Sequence, residues 1–222
     1  DMLPQLKSGK PVAYPSIVYG MKLIVVGLIK KLILADYISP YIDGIFNSIH
    51  TASGIQLLMA CLLYPVELYG DFSGYTDIAL GGACMLGFKL SPNFNRPFIA
   101  QTTAEFWRRW HISLGTWFRE YVYIPLGGNR KGVKRQIINL LIVWALTGLW
   151  HGAAWNFVIW GLYYGILLIF EKFVYVHLQK RLPKFLNVVI TFIVVIIGWV
   201  FFFSNNMTEA VSSVSYTHLT LP

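Results

Sequence analysis

The sequence predicts an all-α protein that crosses a membrane several times, and three observations carry that prediction. Only 13% of the 222 residues are charged while 56% are hydrophobic, against about a quarter charged in a soluble domain. Mean hydropathy is +0.56. The apolar residues gather in runs near the length of about 20 residues that a bilayer-crossing helix needs. This balance excludes a disordered polymer, a coiled coil and an ordinary cytosolic enzyme. Eighteen Lys and Arg against ten Asp and Glu leave a net charge of +8. In a membrane protein such an excess collects in cytoplasmic loops and orients the chain, and the apolar runs leave little soluble surface for nucleic acid. Cys61 and Cys84 lie in apolar stretches; two thiols make neither a disulfide framework nor a metal box.

The chain opens on Asp1 with no signal peptide before its first span, so it reads as a piece of a longer protein. Residues 16–38 form the first expected span; Lys30 and Lys31 can snorkel from its end, while Lys22 needs a polar partner or the opposite interface. Residues 54–69 form the second, with a kink expected at Pro65 and Glu67. Residues 75–88 are short and glycine-rich, which favours a re-entrant or tilted helix over a simple crossing. Residues 137–150, 154–176 and 185–203 complete the set. The chain then turns polar and closes on Ser215-Tyr216-Thr217-His218-Leu219-Thr220-Leu221-Pro222. Two parts follow, a membrane domain over 1–212 and a tail over 213–222, with non-native sequence as one reading of the tail.

Residues 89–136 contain no lipid-spanning run but many cations, among them Arg108, Arg109, Arg119, Arg130, Lys131, Lys134 and Arg135. The next basic cluster, Lys172, Lys180, Arg181 and Lys184, comes two spans later. Two crossings return the chain to the same side, so both clusters can be cytoplasmic and the turn at His151 faces outward. Within the first cluster, Thr102-Thr103-Ala104-Glu105 has the form of a capping box. One interfacial helix is expected over 102–123. At about 100° per residue, Phe106, Trp107, Trp110, Leu114, Trp117, Phe118 and Tyr121 share one face of it. His111 sits at the border of the aromatic and charged faces, and 125–130 reads as a loop.

His151 is the strongest single candidate for chemistry. It stands in Leu149-Trp150-His151-Gly152-Ala153-Ala154-Trp155, and an ionisable group at membrane depth suggests a function. A desolvated imidazole stays neutral at pH 7 and can accept a proton; the competing reading is an interfacial histidine bonded to a carbonyl. His111 is weaker, though Arg108 and Arg109 beside it can hold phosphates, and Trp107, Trp110 and Trp150 can wall a narrow passage. In Gly70-Asp71-Phe72-Ser73-Gly74-Tyr75-Thr76-Asp77, the two aspartates with Ser73 and Tyr75 either line a polar cavity or cap helices. The Gly127-Gly128 pair lacks the lysine of a phosphate loop, and the absence of H-E-x-x-H and of a cysteine cluster argues against a zinc catalyst. No metal and no bound cofactor is expected.

Phe106-Trp107-Arg108-Arg109-Trp110-His111-Ile112-Ser113-Leu114 resembles the signature of membrane-bound O-acyltransferases. So do Asp71-Phe72-Ser73-Gly74-Tyr75-Thr76-Asp77-Ile78-Ala79, Leu149-Trp150-His151-Gly152-Ala153 and Gly198-Trp199-Val200-Phe201-Phe202-Phe203. The stretch Tyr123-Ile124-Pro125-Leu126-Gly127-Gly128-Asn129-Arg130 is similar to the alginate O-acetylase branch. Ser204 departs from that branch, where Arg is frequent. The resemblance covers about residues 15–212 and implies a helical bundle around a tunnel, of which this chain is a part. It places the family's catalytic histidine on His151 and its second active-site histidine on His111.

The function implied is acyl transfer from a cytosolic thioester, acetyl-CoA or another, to a hydroxyl of an exported polysaccharide or cell-wall glycan. The setting implied is a bacterial inner membrane, with lipid and extracytoplasmic acetyl-transfer proteins as partners and no nucleic acid. Two other readings stand beside it. One is a transporter or channel using Lys22, Asp71, Asp77 and His151; the other is a non-catalytic scaffold of a glycan-secretion complex.

Overall fold

The computed structural model describes residues 2–8, 11–48 and 51–203. The expectations for Ser204 and for the tail over 213–222 fall outside them. Every regular element among the described residues is helical. The chain divides between Asn93 and Phe94 into two compact units.

The first unit holds α1 (Met2–Ser8), α2 (Tyr14–Leu28), α3 (Asp36–Asn47) and α4 (Gly54–Met85). A π-helical stretch, Ile29–Ala35, joins α2 to α3 without a break. The most substantial correction to the sequence reading lies in α4. In place of a kinked span over 54–69 and a re-entrant helix over 75–88, one helix of 32 residues runs through both. Its start is local chemistry: the Ser53 side chain accepts from the Gln56 amide, and the Gln56 side chain accepts from the Ser53 amide. Its end is a Schellman motif, with Gly87 at φ 83° and the Phe88 amide donating to the Ala83 carbonyl at 2.8 Å. Pro65, buried within the helix, does not interrupt it.

The glycines of α4 serve packing. A Cβ at Gly81 would lie 2.5 Å from the Gly20 carbonyl oxygen, and one at Gly74 2.7 Å from that of Gly27. The reciprocal approaches, Gly20 to Gly81 and Gly27 to Gly74, are 2.5 and 2.6 Å. Glycines seven residues apart on each antiparallel helix thus bring two backbones into direct contact, the usual device where lipid removes the hydrophobic drive.

Asp71 and Asp77 consequently sit inside a helix and cap nothing. Asp77 pairs with Lys30 at 2.6 Å, and Asp71 with Lys31 at 2.5 Å; Lys31 also reaches Asp36 at 2.8 Å. Both lysines ride on the π-helical stretch. Asp77→Ala is expected to lower stability by about 2 kcal/mol by stranding a half-buried ammonium. Lys30→Met with Asp77→Leu together should recover part of that loss, measured as thermal unfolding in detergent. Strictly additive single effects would mean that the pair contributes nothing.

The second unit holds α5 (Thr103–Arg109), α6 (Ile112–Phe118), α7 (Gly132–His151), α8 (Trp155–Phe170), α9 (Val176–Gln179) and α10 (Lys184–Phe203). Two further π-helical stretches, Arg119–Tyr123 and Glu171–Tyr175, follow α6 and α8. Gly54–Met85, Trp155–Gln179 and Lys184–Phe202 are long and apolar enough to cross a membrane. The 14-residue span expected over 137–150 is instead part of a 20-residue helix, about 30 Å long at 1.5 Å per residue. Its added first turn carries Gln136, and buried Asn139 follows it; the Asn139 amide donates to the Gly128 and Leu126 carbonyls at 3.0 and 3.3 Å and pins the preceding loop.

Helices α7 and α8 form a hairpin joined by three residues, Gly152, Ala153 and Ala154. Gly148 faces the Phe157 carbonyl and Gly161 the Trp144 carbonyl, each too close to admit a Cβ. Helix α10 docks on α8 through two hydroxyls: Tyr163 donates to the Val194 carbonyl at 2.8 Å and Tyr164 to that of Val195 at 3.0 Å. Gly198 leaves the space that the Tyr164 hydroxyl fills.

Candidate active site

The interfacial helix expected over 102–123 is two helices. Thr102 caps the first as foreseen, its hydroxyl accepting from the Glu105 amide at 2.8 Å. The reciprocal bond of the box runs one residue early, from the Gln101 amide to the Glu105 carboxylate at 2.8 Å. The helix ends at Arg109, Trp110 is extended, and His111 takes the left-handed conformation at φ 49°. That conformation costs a non-glycine residue roughly 1–2 kcal/mol, so the packing around it must hold it there. The break puts the two halves out of phase. Phe106, Trp110 and Phe118 are buried, whereas Trp117 and Tyr121 are exposed.

The break also brings His111 into the neighbourhood of His151. The two imidazoles both meet Trp150 edge-on, with ring centroids 6.0 Å from His111 and 4.9 Å from His151. His151, the last residue of α7, packs also against Trp160 of α8 at 5.0 Å and Phe202 of α10 at 5.1 Å. Trp160 in turn meets Trp107 of α5 at 5.6 Å. Helices α5, α7, α8 and α10 and the α5–α6 break thus converge on one aromatic cluster in which both histidines meet Trp150. Among the described residues, neither nitrogen of His151 has a hydrogen-bond partner. Burial pushes the His111 imidazole down to about 4, which keeps it neutral at pH 7.

A cavity of about 790 Å³ opens beside this cluster. Trp107, Arg108, Trp110 and His111 line it, with Trp144 and Thr147 of α7 behind them. Its charged lining is Arg108, Arg119, Lys172 and Glu171. His151 and Trp150 are not part of its wall; Thr147, one turn earlier on α7, is. The two arginines of the motif part company here. Arg108 is exposed to the cavity, whereas Arg109 bonds the Glu105 carboxylate at 2.7 Å and the Asn95 carbonyl at 3.2 Å.

Asp71, Ser73, Tyr75 and Asp77 belong to the first unit. Asp77 lines a separate cavity of about 470 Å³ there with Tyr19, Cys84 and Lys89; Asp71 does not. Ser73 is buried, its hydroxyl without a partner among the described residues, and Tyr75 is exposed. No group of three or more metal-ligating side chains occurs among the described residues.

Sequence reasoning missed Trp160, Phe202 and Glu171. Phe202 was within a recognised motif but had no role there. Glu171 was detectable as a lone carboxylate closing the apolar run before it.

Comparison with known proteins gives consistent matches. A model of the membrane-bound O-acyltransferase family matches residues 3–213. The chain is 44% identical over 184 residues to a probable alginate O-acetylase of Azotobacter vinelandii, covering 83% of this chain and 37% of that protein. It is 41% identical over 218 residues to a peptidoglycan O-acetyltransferase of Helicobacter pylori, covering 95% and 41% respectively. A teichoic acid D-alanyltransferase of Bacillus subtilis is 33% identical over 204 residues, covering 85% of this chain and 52% of that protein. The chain thus spans about two-fifths of the length of the first two relatives.

Proposed function

The chain belongs to the membrane-bound O-acyltransferase family, and from that premise we propose that the full-length protein transfers an acyl group from a thioester to a hydroxyl of an exported glycan. Acetyl is the group proposed, because the two relatives of higher identity named above carry O-acetylase or O-acetyltransferase names. The observation that carries the reading is the placement of His111 and His151 around Trp150, beside a cavity with cations in its wall.

In this reading His151 removes the proton of the acceptor hydroxyl as its oxygen attacks the thioester carbonyl. The tetrahedral intermediate collapses, the ester forms, and the thiolate leaves carrying the donor body. Among the described residues neither nitrogen of His151 has a hydrogen-bond partner, so either can take up the hydroxyl. Arg108 and Lys172 hold donor phosphates, whose contacts to cations are among the stronger polar ones. The indoles of Trp107, Trp110 and Trp144 exclude the water that would hydrolyse the acyl group. The donor is acetyl-CoA or another acyl thioester on the cytoplasmic side of a bacterial inner membrane, where the basic residues 130–135 orient the chain. The acceptor and any extracytoplasmic acetyl-transfer partner lie on the other side.

The test is the O-acyl content of the exported glycan in cells with and without the full-length protein. An unchanged content would overturn the reading and favour a transporter or a scaffold.

The divergent contacts of the two arginines give a sharper expectation. Arg108→Gln should raise the donor KM about tenfold while leaving stability within about 0.5 kcal/mol, the loss of one charge-assisted contact at an exposed site. Arg109→Gln should instead lower the melting temperature with little change in donor KM, since its charge is spent on Glu105. Kinetics and melting of the two purified variants check this; equal donor effects would place both arginines on the donor.

A further inference from the structure

Glu171 is a carboxylate that the acyl-transfer chemistry does not use, yet it touches the element that carries half of the site. Helix α5 has seven residues, too few to be stable without tertiary support. Its first-turn amides need partners from outside the helix. Thr102 supplies one for Glu105, and the two oxygens of Glu171 supply the others. The Thr103 amide donates to Oε2 at 2.5 Å and the Ala104 amide to Oε1 at 3.1 Å, across 68 and 67 residues of sequence. A carboxylate on a helix N-terminus is favoured by the helix dipole as well as by the two bonds.

The local backbone serves this contact. Glu171 opens the π-helical stretch that follows α8, and a π turn shifts the side chains it carries relative to an α-helix. Glu171 and its neighbour Lys172 both face the cavity. Glu171 is its lone acidic lining residue among three cations, Arg108, Arg119 and Lys172. Its oxygens are nonetheless spent on backbone amides, and no ion pair joins it to Arg108 or Lys172 among the described residues. The N-terminal half of α8 carries Trp160 against His151 and Trp107, so α5 meets α8 there as well as at Glu171.

We propose that Glu171 is a positioning residue for the donor: its two bonds to the Thr103 and Ala104 amides fix α5, and with it Trp107 and Arg108, against the cavity. The same bonds occupy the carboxylate and leave Arg108 and Lys172 free to meet donor phosphate. The inference rests on the acyl-transfer reading for its kinetic arm only; its structural arm stands apart from it.

The experiment uses the full-length protein and its Glu171→Gln and Glu171→Asp variants. Amide hydrogen exchange is read at residues 103–111, and the KM for acetyl-CoA is read against kcat and against the acceptor KM. Glu171→Gln keeps the size but replaces one acceptor oxygen with an NH2 group that faces a backbone donor. It should speed exchange at Thr103 and Ala104 and raise the donor KM about ten- to a hundredfold, as expected for charge-assisted bonds, with the acceptor KM unchanged. Glu171→Asp, which keeps both oxygens on a shorter arm, should restore part of the donor KM. Unchanged exchange at Thr103 and Ala104, or a fall in kcat with donor KM intact, overturns the proposal. If Glu171→Gln does not accumulate, Glu171→Asp carries the same readouts, and its equality with the unsubstituted protein in both overturns it. If the unsubstituted protein transfers no acyl group, the enzymatic reading fails, and the exchange arm alone decides whether Glu171 fixes α5.

Discussion

A full-length protein carrying His151→Ala is expected to reach the membrane in normal amount and to leave its glycan without measurable acylation. General-base catalysis is typically worth 10²- to 10⁴-fold in rate, and no other imidazole in the aromatic cluster can stand in at the same place. His111 meets Trp150 from the α5–α6 break rather than from α7, and it lines the cavity whereas His151 does not. The substitution removes ring contacts with Trp150, Trp160 and Phe202, but those three rings keep contacts of their own. Membrane abundance, measured in parallel, separates lost chemistry from lost folding. His111→Ala should reduce acylation by a smaller or similar factor. Normal acylation by the His151→Ala protein would sink the mechanism.

Gly161→Leu is expected to have the largest effect on folding. A Cβ at that position meets the Trp144 carbonyl oxygen and carbon and the Gly148 amide. These are backbone atoms, which cannot rotate away. The hairpin of α7 and α8 would have to open, and Trp144, Trp160 and His151 would lose their common packing. Overpacking a core costs typically 1–3 kcal/mol and more where backbone must shift, so the variant should fail to accumulate or melt far below the parent. Gly44→Ala is the matched contrast. Gly44 lies within α3, and a Cβ there meets nothing within 4 Å. That change should be neutral or stabilise by up to about 1 kcal/mol through helix propensity. Melting in detergent of both variants checks the pair. Equal melting temperatures would show that the hairpin tolerates separation.

The parts of this structure that were legible in the sequence are those set by local chemistry. The Thr102 cap needs only the hydroxyl and an amide three residues on. The spans expected over 154–176 and 185–203 fall on α8 with the stretches after it and on α10, because long apolar runs announce them. The error over 54–88 had a physical source: Gly, Asp and Ser read as loop formers by propensity, and only a partner helix turns them into a packing seam with ion pairs. A clue was present, since Gly20 and Gly27 show the same seven-residue spacing as Gly74 and Gly81. The break at His111 was hidden because a helical wheel assumes a continuous axis. The grip of Glu171 on α5 joins residues 67 and 68 positions apart, and no local pattern carries it. Both histidines stand out in the sequence, whereas Trp160, which touches Trp107 and His151 alike, offered no signal beyond being one more indole in an apolar span.

The π-helical stretches at Ile29–Ala35, Arg119–Tyr123 and Glu171–Tyr175 have a bearing on descent. A π turn in an α-helix amounts to one inserted amino acid, and losing that amino acid rotates everything beyond it by about 100°. The stretches carry Lys30 and Lys31, Arg119 with Glu120, and Glu171 with Lys172, so the direction of each of these charges depends on an insertion. Lineages related to this chain should therefore differ by single-residue gaps at these three places, and a gap at any one of them should travel with a change in the charge it aims.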